Sequence, residues 1–365
     1  MSVTFSEKPV LVFWETTKAC PLSCVHCRAS AILGPVPGEL TTEEGMRVID
    51  QVKSFGTPPP VLVFTGGDPL MRADLPRLLA YAKRLGVPFA VSPAVSRNLT
   101  DGVLADLRDM GASSISISLD GAGAETHDSI RRVAGTFELS LDRVRTATDL
   151  GVNVQVNTAV MKANLRELPA MLDLVRGLGV EIWELFFLIQ VGRGSGVADL
   201  TPAEYESACN FAYDASRRGV VVRCVEAPFI RRVASRRSAA GDYWRDEGYL
   251  AMSRGLGGAA GGLAPSTLGP RGTLDGDGII FVGHDGTINP GGLLPVPLGN
   301  VKDDDLAAVY RTDPLLNKIR GREFSGPCGR CSYSGVCGGS RARAYAYSGD
   351  PLGSDPACLL SGASA

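Results

Sequence analysis

Apolar and polar positions follow two rhythms over the first two-thirds of the chain. Short runs rich in Val, Ile and Phe recur at 10–15, 61–65, 88–92, 114–119, 153–160 and 181–189. Runs this short and this apolar predict strands buried on both faces, as in a parallel sheet. Between them, residues 42–55, 73–85, 100–110, 137–150, 164–178 and 202–218 place apolar side chains at helical spacing. Thr41-Thr42-Glu43-Glu44 and Thr201-Pro202 read as helix starts, with Thr as N-cap and Pro at the first helical position. Gly86, Gly111, Gly151 and Gly179 follow helices, where a left-handed cap favours glycine. Six β-α units in series predict a parallel sheet with helices outside it, either curled into a barrel or doubly wound. In both arrangements functional groups gather at the C-terminal ends of the strands.

A further strand is expected at 220–226. Residues 254–278 then become Gly-rich, which suits a flexible linker or lid. Residues 278–282 and 287–289 read as a hairpin around His284-Asp285-Gly286, and 303–320 as helical. This divides the chain into a barrel at 1–225, a linker or lid at 226–278 and a small cysteine-rich region at 279–365.

Composition narrows the function classes. The chain has 365 residues, 44% apolar and 21% charged, as in an ordinary globular protein. A net charge of −2 offers no broad basic face, so nucleic acid is not an expected partner. No apolar run approaches the roughly 18 residues that span a bilayer, so no membrane is expected either. The N-terminus lacks a secretory pattern, and a cytoplasmic location follows as an expectation. Nine cysteines in a reducing compartment point to metal or catalysis in place of disulfides. Seven of them fall in two groups.

Cys20-x3-Cys24-x2-Cys27 lies directly after the first predicted strand. Three thiolates on one loop can hold three corners of an iron–sulfur cubane and leave one iron open, which suits catalysis. Zinc would need a fourth ligand, which His26 is badly placed to supply. This spacing, after the first strand of a β-α repeat, resembles the radical S-adenosylmethionine (SAM) superfamily. The resemblance implies an α/β fold, a partial (β/α)6 TIM-like barrel. It also implies a SAM-binding [4Fe-4S] cluster on Cys20, Cys24 and Cys27. Reductive SAM cleavage there yields a 5′-deoxyadenosyl radical, which abstracts hydrogen from a substrate. Gly66-Gly67-Asp68-Pro69 is similar to the family's Gly-Gly-Glu-Pro and implies SAM contacts from Gly66, Gly67 and Asp68. His26 stands where the family usually carries an aromatic residue near the adenine. Ser118, in Ser116-Ile117-Ser118-Leu119-Asp120-Gly121, implies a hydroxyl that helps to hold SAM. Arg131 implies a partner for the SAM carboxylate, and Ser92 and Asn157 contacts to the ribose.

Cys328-x2-Cys331-x5-Cys337-x20-Cys358 supplies four thiolates, suited to a closed zinc site or a [4Fe-4S] cluster. Beside a radical SAM barrel it is similar to the SPASM and twitch auxiliary-cluster extensions. A full SPASM region has further cysteines, and this chain has Gly291 and Arg341 at two of their positions. The resemblance therefore implies one auxiliary [4Fe-4S] cluster. Cys209 and Cys224 stand apart and read as core residues.

The tail from Cys337 to Asp350 resembles peptide maturases of the mycofactocin and pyrroloquinoline quinone type, and also tetrapyrrole-modifying enzymes of the alternative haem pathway. A ribosomal peptide is the expected substrate, with either a separate leader-binding partner or none, and a flavodoxin- or ferredoxin-type electron donor. Tetrapyrrole side-chain modification and small-molecule dehydrogenation are the alternatives. An iron–sulfur electron carrier or scaffold is the non-enzymatic rival, and the missing fourth cysteine of the first group speaks against it. Arg231, Arg232, Arg341 and Arg343 are candidates for substrate carboxylates, and Arg193 for SAM or substrate.

Overall fold

In a computed structural model, residues 5–240, 244–256 and 272–361 are described. Strands β1 (Leu11–Glu15), β2 (Val61–Thr65), β3 (Phe89–Val91), β4 (Ile115–Ser118), β5 (Val154–Val160), β6 (Ile182–Phe187) and β7 (Val221–Val225) pair in chain order, all parallel. The crossovers carry α1 (Thr42–Ser54), α2 (Leu75–Leu85), α3 (Asp101–Met110), α4 (Ala124–Arg131), α5 (Thr136–Asp149), α6 (Leu168–Gly177) and α7 (Pro202–Ala215). Thr41 and Thr201 cap α1 and α7 as expected, each in a reciprocal capping box with a glutamate at the third helical position. The sheet is an open path that does not close on itself, so the barrel is partial.

Residues 226–278 depart from the expected linker. They contain two helices, α8 (Phe229–Ala240) and α9 (Glu247–Arg254). Phe229, Ile230 and Val233 of α8 are buried in the main core. Four arginines in the same helix, Arg231, Arg232, Arg236 and Arg237, mask that apolar stripe in the sequence. The Gly-rich stretch 257–271 lies outside the described residues.

The C-terminal region adds β8 (Leu274–Asp275), β9 (Gly278–Val282), β10 (Thr287–Asn289) and β11 (Gly299–Asn300). β9 runs parallel to β1 with Leu11 opposite Ile279, so the hairpin extends the barrel sheet and forms no sheet of its own. The helix expected at 303–320 is two, α10 (Leu306–Thr312) and α11 (Pro314–Gly321). Asp313 separates them, accepting from the Leu315 and Leu316 amides ahead of Pro314. Two short helices, α12 (Gly326–Arg330) and α13 (Arg341–Ser348), complete the cysteine-rich tail.

Strand residues divide between the two faces of the sheet. Trp14, Phe64, Ile117, Val156, Trp183 and Val222 point outward into one core shared with the helices. The alternate positions on β4 to β6 are half-buried and line the concave face. Register aligns Ser118, Asn157, Glu184 and Arg223 in one polar row across β4 to β7.

Candidate functional site at the barrel mouth

The loop after β1 carries Cys20, Cys24 and Cys27. Cys20 and Cys24 are buried and Cys27 is half-buried. Each sulfur accepts one hydrogen bond: Cys20 from the Leu22 amide at 3.4 Å, Cys27 from the Ala31 amide at 3.5 Å, Cys24 from Arg131 Nη1 at 3.7 Å. Burial pushes the Cys20 thiol up to about 12, so without a cation it stays protonated. Three adjacent sulfurs of this kind suit a cationic iron centre that binds them as thiolates.

The loops after β2 and β3 hold this one from beneath. The Gly67 amide donates to Thr17 O at 2.8 Å and the Asp68 amide to Ala19 O at 2.7 Å. An added Cβ on Gly67 would lie 2.3 Å from Ala19 O, which explains the glycine. The Asp68 carboxylate is fully buried and turned inward, accepting from the Leu70 amide at 3.1 Å, the Ala94 amide at 3.3 Å and Ser96 Oγ at 3.4 Å. Asp68 therefore ties three strand-end loops together. Ser92 follows β3 on the concave side, and Ser118 and Asn157 lie in the polar row.

A second group flanks Cys24. Arg131 Nη2 pairs with Asp120 Oδ2 at 2.6 Å, and His26 Nε2 lies 3.9 Å from the same oxygen. Burial alone would raise the Asp120 pKa, but Arg131, His26 and His127 outweigh it and hold the carboxyl below the usual range. Burial pushes His26 down to about 4, so its ring is neutral at pH 7. Arg131 thus faces both a carboxylate of its own chain and a cysteine sulfur. Sequence reasoning quoted Asp120 within its motif and gave it no role; a charged residue one position past a buried strand end was the available signal.

From across the mouth, the turn at Gly192–Gly196 grips the cysteine loop. Arg193 donates from its amide to Cys27 O at 3.0 Å, from Nε to Cys24 O at 2.9 Å and from Nη1 to Ala31 O at 2.7 Å. Gly192 approaches so closely that a Cβ would lie 2.3 Å from Arg28 O. Glu15, at the end of β1, joins the loop to the C-terminal hairpin. It accepts from Arg28 Nη1 at 3.2 Å and lies 3.0 Å from His284 Nδ1. Three buried nitrogens around the loop, His26 Nδ1, Arg131 Nε and Arg193 Nη2, have no hydrogen-bond partner among the described residues. Two unpaired guanidinium donors and an imidazole nitrogen here fit a polar, carboxylate-bearing ligand such as SAM.

Cys328, Cys331, Cys337 and Cys358 line one cavity of about 250 Å³. Cys328 Sγ accepts from the Asp355 amide and Cys331 Sγ from the Tyr333 amide, both at 3.4 Å. Among the described residues no three His, Cys, Asp or Glu side chains stand close enough to share one metal ion. Four sulfurs lining one cavity suit either of the two occupants their spacing allows, a [4Fe-4S] cluster or a closed zinc site.

The arginines proposed for substrate are committed elsewhere. Arg232 is buried in an ion pair with Glu206, joining α8 to α7. Arg231 donates to Thr273 O at 2.9 Å and Val336 O at 3.4 Å. Arg341, in place of a SPASM cysteine, is buried, donates to Gly339 O, Pro351 O and Gly353 O, and stacks 4.1 Å over Phe324. Arg343 bridges Asp355, Glu226 O and Leu188 O. Arg231, Arg341 and Arg343 fasten the C-terminal region to the barrel and to itself, and Arg232 fastens α8 to α7, which corrects the expectation. Cys209 is fully buried and Cys224 packs half-buried on the same core, as expected.

The radical SAM superfamily matches residues 14–175. AdoMet-dependent heme synthase of Nitratidesulfovibrio vulgaris (strain Hildenborough) is 35% identical over 95% of the chain and 91% of its own length. The heme synthase of Methanosarcina barkeri is 33% identical over 98% of each chain. Fe-coproporphyrin III synthase of the same organism is 31% identical over 97% of the chain and 88% of its own. Mycofactocin maturase MftC of Mycobacterium tuberculosis is 27% identical over 97% of the chain and 83% of its own. In fold, the chain superposes on Streptococcus suis SuiB bound to S-adenosylmethionine with a TM-score of 0.68 at 14% identity, covering 97% of this chain and 78% of that one. It superposes equally on anSMEcpe with bound AdoMet, TM-score 0.68 at 15% identity, covering 96% of this chain and 94% of that one. The cysteine loop, the strand-end cradle beneath it and full-length similarity at 33–35% identity agree: the chain belongs to the radical SAM superfamily and is an enzyme that uses SAM and a [4Fe-4S] cluster.

Proposed function

We propose that this enzyme modifies the side chains of an iron tetrapyrrole, in a reaction of the haem synthase type. One observation carries the reading: heme synthases are 33–36% identical over 95–98% of the chain, whereas a peptide maturase reaches 27%. Cys20, Cys24 and Cys27 hold the SAM-binding cluster in this reading. Gly66, Gly67, Asp68, His26, Ser92, Ser118, Arg131 and Asn157 shape the SAM site. Cys328, Cys331, Cys337 and Cys358 hold an auxiliary [4Fe-4S] cluster suited to one-electron relay. When bound and reduced, the first cluster with SAM supplies a 5′-deoxyadenosyl radical able to take a hydrogen atom from the substrate.

Coproporphyrin carries propionates at positions where haem carries vinyl groups. Each propionate-to-vinyl conversion removes one hydrogen atom, one electron and CO2. The hydrogen leaves as 5′-deoxyadenosine, and the electron passes to a one-electron acceptor. Arg193 and Asp68 keep the cysteine loop rigid during this chemistry. A flavodoxin- or ferredoxin-class protein supplies the reducing electron.

The test is direct. Anaerobic protein with reductant, SAM and iron coproporphyrin III is expected to form haem, CO2 and 5′-deoxyadenosine, and Cys24→Ala to form none of them. The peptide reading draws support from the maturase relatives. Unchanged porphyrin, together with 5′-deoxyadenosine formed in response to a precursor peptide, would replace the tetrapyrrole reading with that one.

A further inference from the structure

With Arg231, Arg232, Arg341 and Arg343 engaged inside the fold, a different arginine, on the concave face of the sheet, is a candidate for a ligand. Arg223 stands on β7, level with Glu184 on β6, Asn157 on β5 and Ser118 on β4. Its neighbours establish which face it occupies. Val222 points outward and is 2% exposed in the helix-covered core. Gln155, on the concave face, donates to both Glu184 and Asn157 at 2.7 Å. Among the described residues β7 ends the path of paired strands, and the Arg223 side chain is exposed at that edge of the sheet. Among the described residues the Arg223 side chain makes no hydrogen bond and no ion pair, and the carboxyl of Glu184, its register partner on β6, is the titratable group that feels it. Two positions further along each strand, Phe186 and Val225 present half-buried apolar surface on the same face.

An arginine side chain left unpaired among the described residues, on the same sheet face as Phe186 and in the polar row, suits a carboxylate on a flat apolar body. Its fork geometry accepts both carboxylate oxygens at once. An ordinary surface arginine would face outward from the helices. This one faces into the concave side of the sheet, in the row that also carries Ser118 and Asn157. We propose that Arg223 binds a carboxylate side chain of the tetrapyrrole, with Phe186 and Val225 against the macrocycle and Glu184 orienting the guanidinium. This assignment rests on the tetrapyrrole reading and adds to it the residue that selects for acidic side chains.

Titrating iron coproporphyrin III into anaerobic protein, followed by the shift of its Soret absorbance, tests the assignment. Arg223→Gln is expected to weaken binding about 10- to 100-fold, the range for losing a charge-assisted hydrogen-bonded pair. Arg223→Lys should lose less, because it keeps the charge without the fork. The methyl ester of the same porphyrin, which has no carboxylates, should bind the wild type and Arg223→Gln alike. Arg47→Gln, on the outer face of α1, serves as the control with wild-type affinity. Equal affinity of wild type and Arg223→Gln for the free acid would overturn this assignment alone. A wild-type protein indifferent to the porphyrin would overturn both the assignment and the tetrapyrrole reading.

Discussion

Gly67 is where a single methyl group decides the site. Its backbone lies against Ala19 O, and a Cβ there would come within 2.3 Å of a main-chain atom that cannot swing away. Gly67→Ala must therefore push the loop carrying Cys20 away from β2. The expected outcome is loss of the iron held by Cys20, Cys24 and Cys27, while the Cys328–Cys358 set keeps its own. Iron content and the electron paramagnetic resonance of the two centres check this, with the distant set as internal control. Both centres retained at wild-type occupancy would show that the loop tolerates the shift. The same scale explains why Gly66-Gly67-Asp68-Pro69 was readable in the sequence while Asp68's role was not. Its carboxylate bonds to Ala94 and Ser96, residues brought close only by pairing of β2 with β3.

At the scale of elements, the turn after β6 is the clamp of the site. The Arg193 side chain makes two hydrogen bonds to carbonyls of the cysteine loop and its backbone a third. Each bond from a charged donor contributes about 1.5–3 kcal/mol where it is sheltered from water. Arg193→Ala is expected to speed amide hydrogen exchange in the loop around Cys27 by at least about 10-fold, with the outer helices unchanged. Exchange at wild-type rates would show that Pro21, Leu22 and neighbouring packing suffice to hold the loop. Arg193→Lys should behave like the alanine variant, because an ammonium cannot reach two separated carbonyls in the fixed geometry of a guanidinium. Arg193 is legible in the sequence as a candidate, but its grip on a loop more than 160 residues away is not.

At the scale of the whole molecule, buried titratable groups on the barrel give stability a pH profile. Burial, reinforced by Arg131, pushes His127 down to about 4, against the partial opposition of Asp120. Unfolding restores a pKa of about 6.5, so the unfolded chain takes up a proton that the fold refuses. The stability that His127 contributes is therefore complete above about pH 6.5 and is lost as pH falls toward about 4. Glu184, whose carboxyl burial pushes up, works with the opposite sign: its contribution declines as pH rises past the usual carboxylate range. Comparing wild type with His127→Gln isolates the histidine. Denaturant midpoints measured between pH 7 and pH 4.5 should fall more steeply for wild type. Parallel curves would mean that His127 is protonated in the fold.

By itself the sequence determined the repeating β-α order, the helix caps, the hairpin, both cysteine groups and the strand-end motifs. Each of these is written locally, in spacing, in periodicity or in a residue's backbone preference. Tertiary structure alone decided which arginines are free. Arg231, Arg232, Arg341 and Arg343 read as accessible cations, and the fold buries or engages each of them against carbonyls and carboxylates from other segments. Arg223, unremarked within a strand, is the one that register with Glu184 places on the concave face. Helix α8 was hidden for the same reason: its apolar stripe becomes meaningful only against α7 and β7. A charge's role depends on which distant groups come within reach, and only the folded chain specifies that distance.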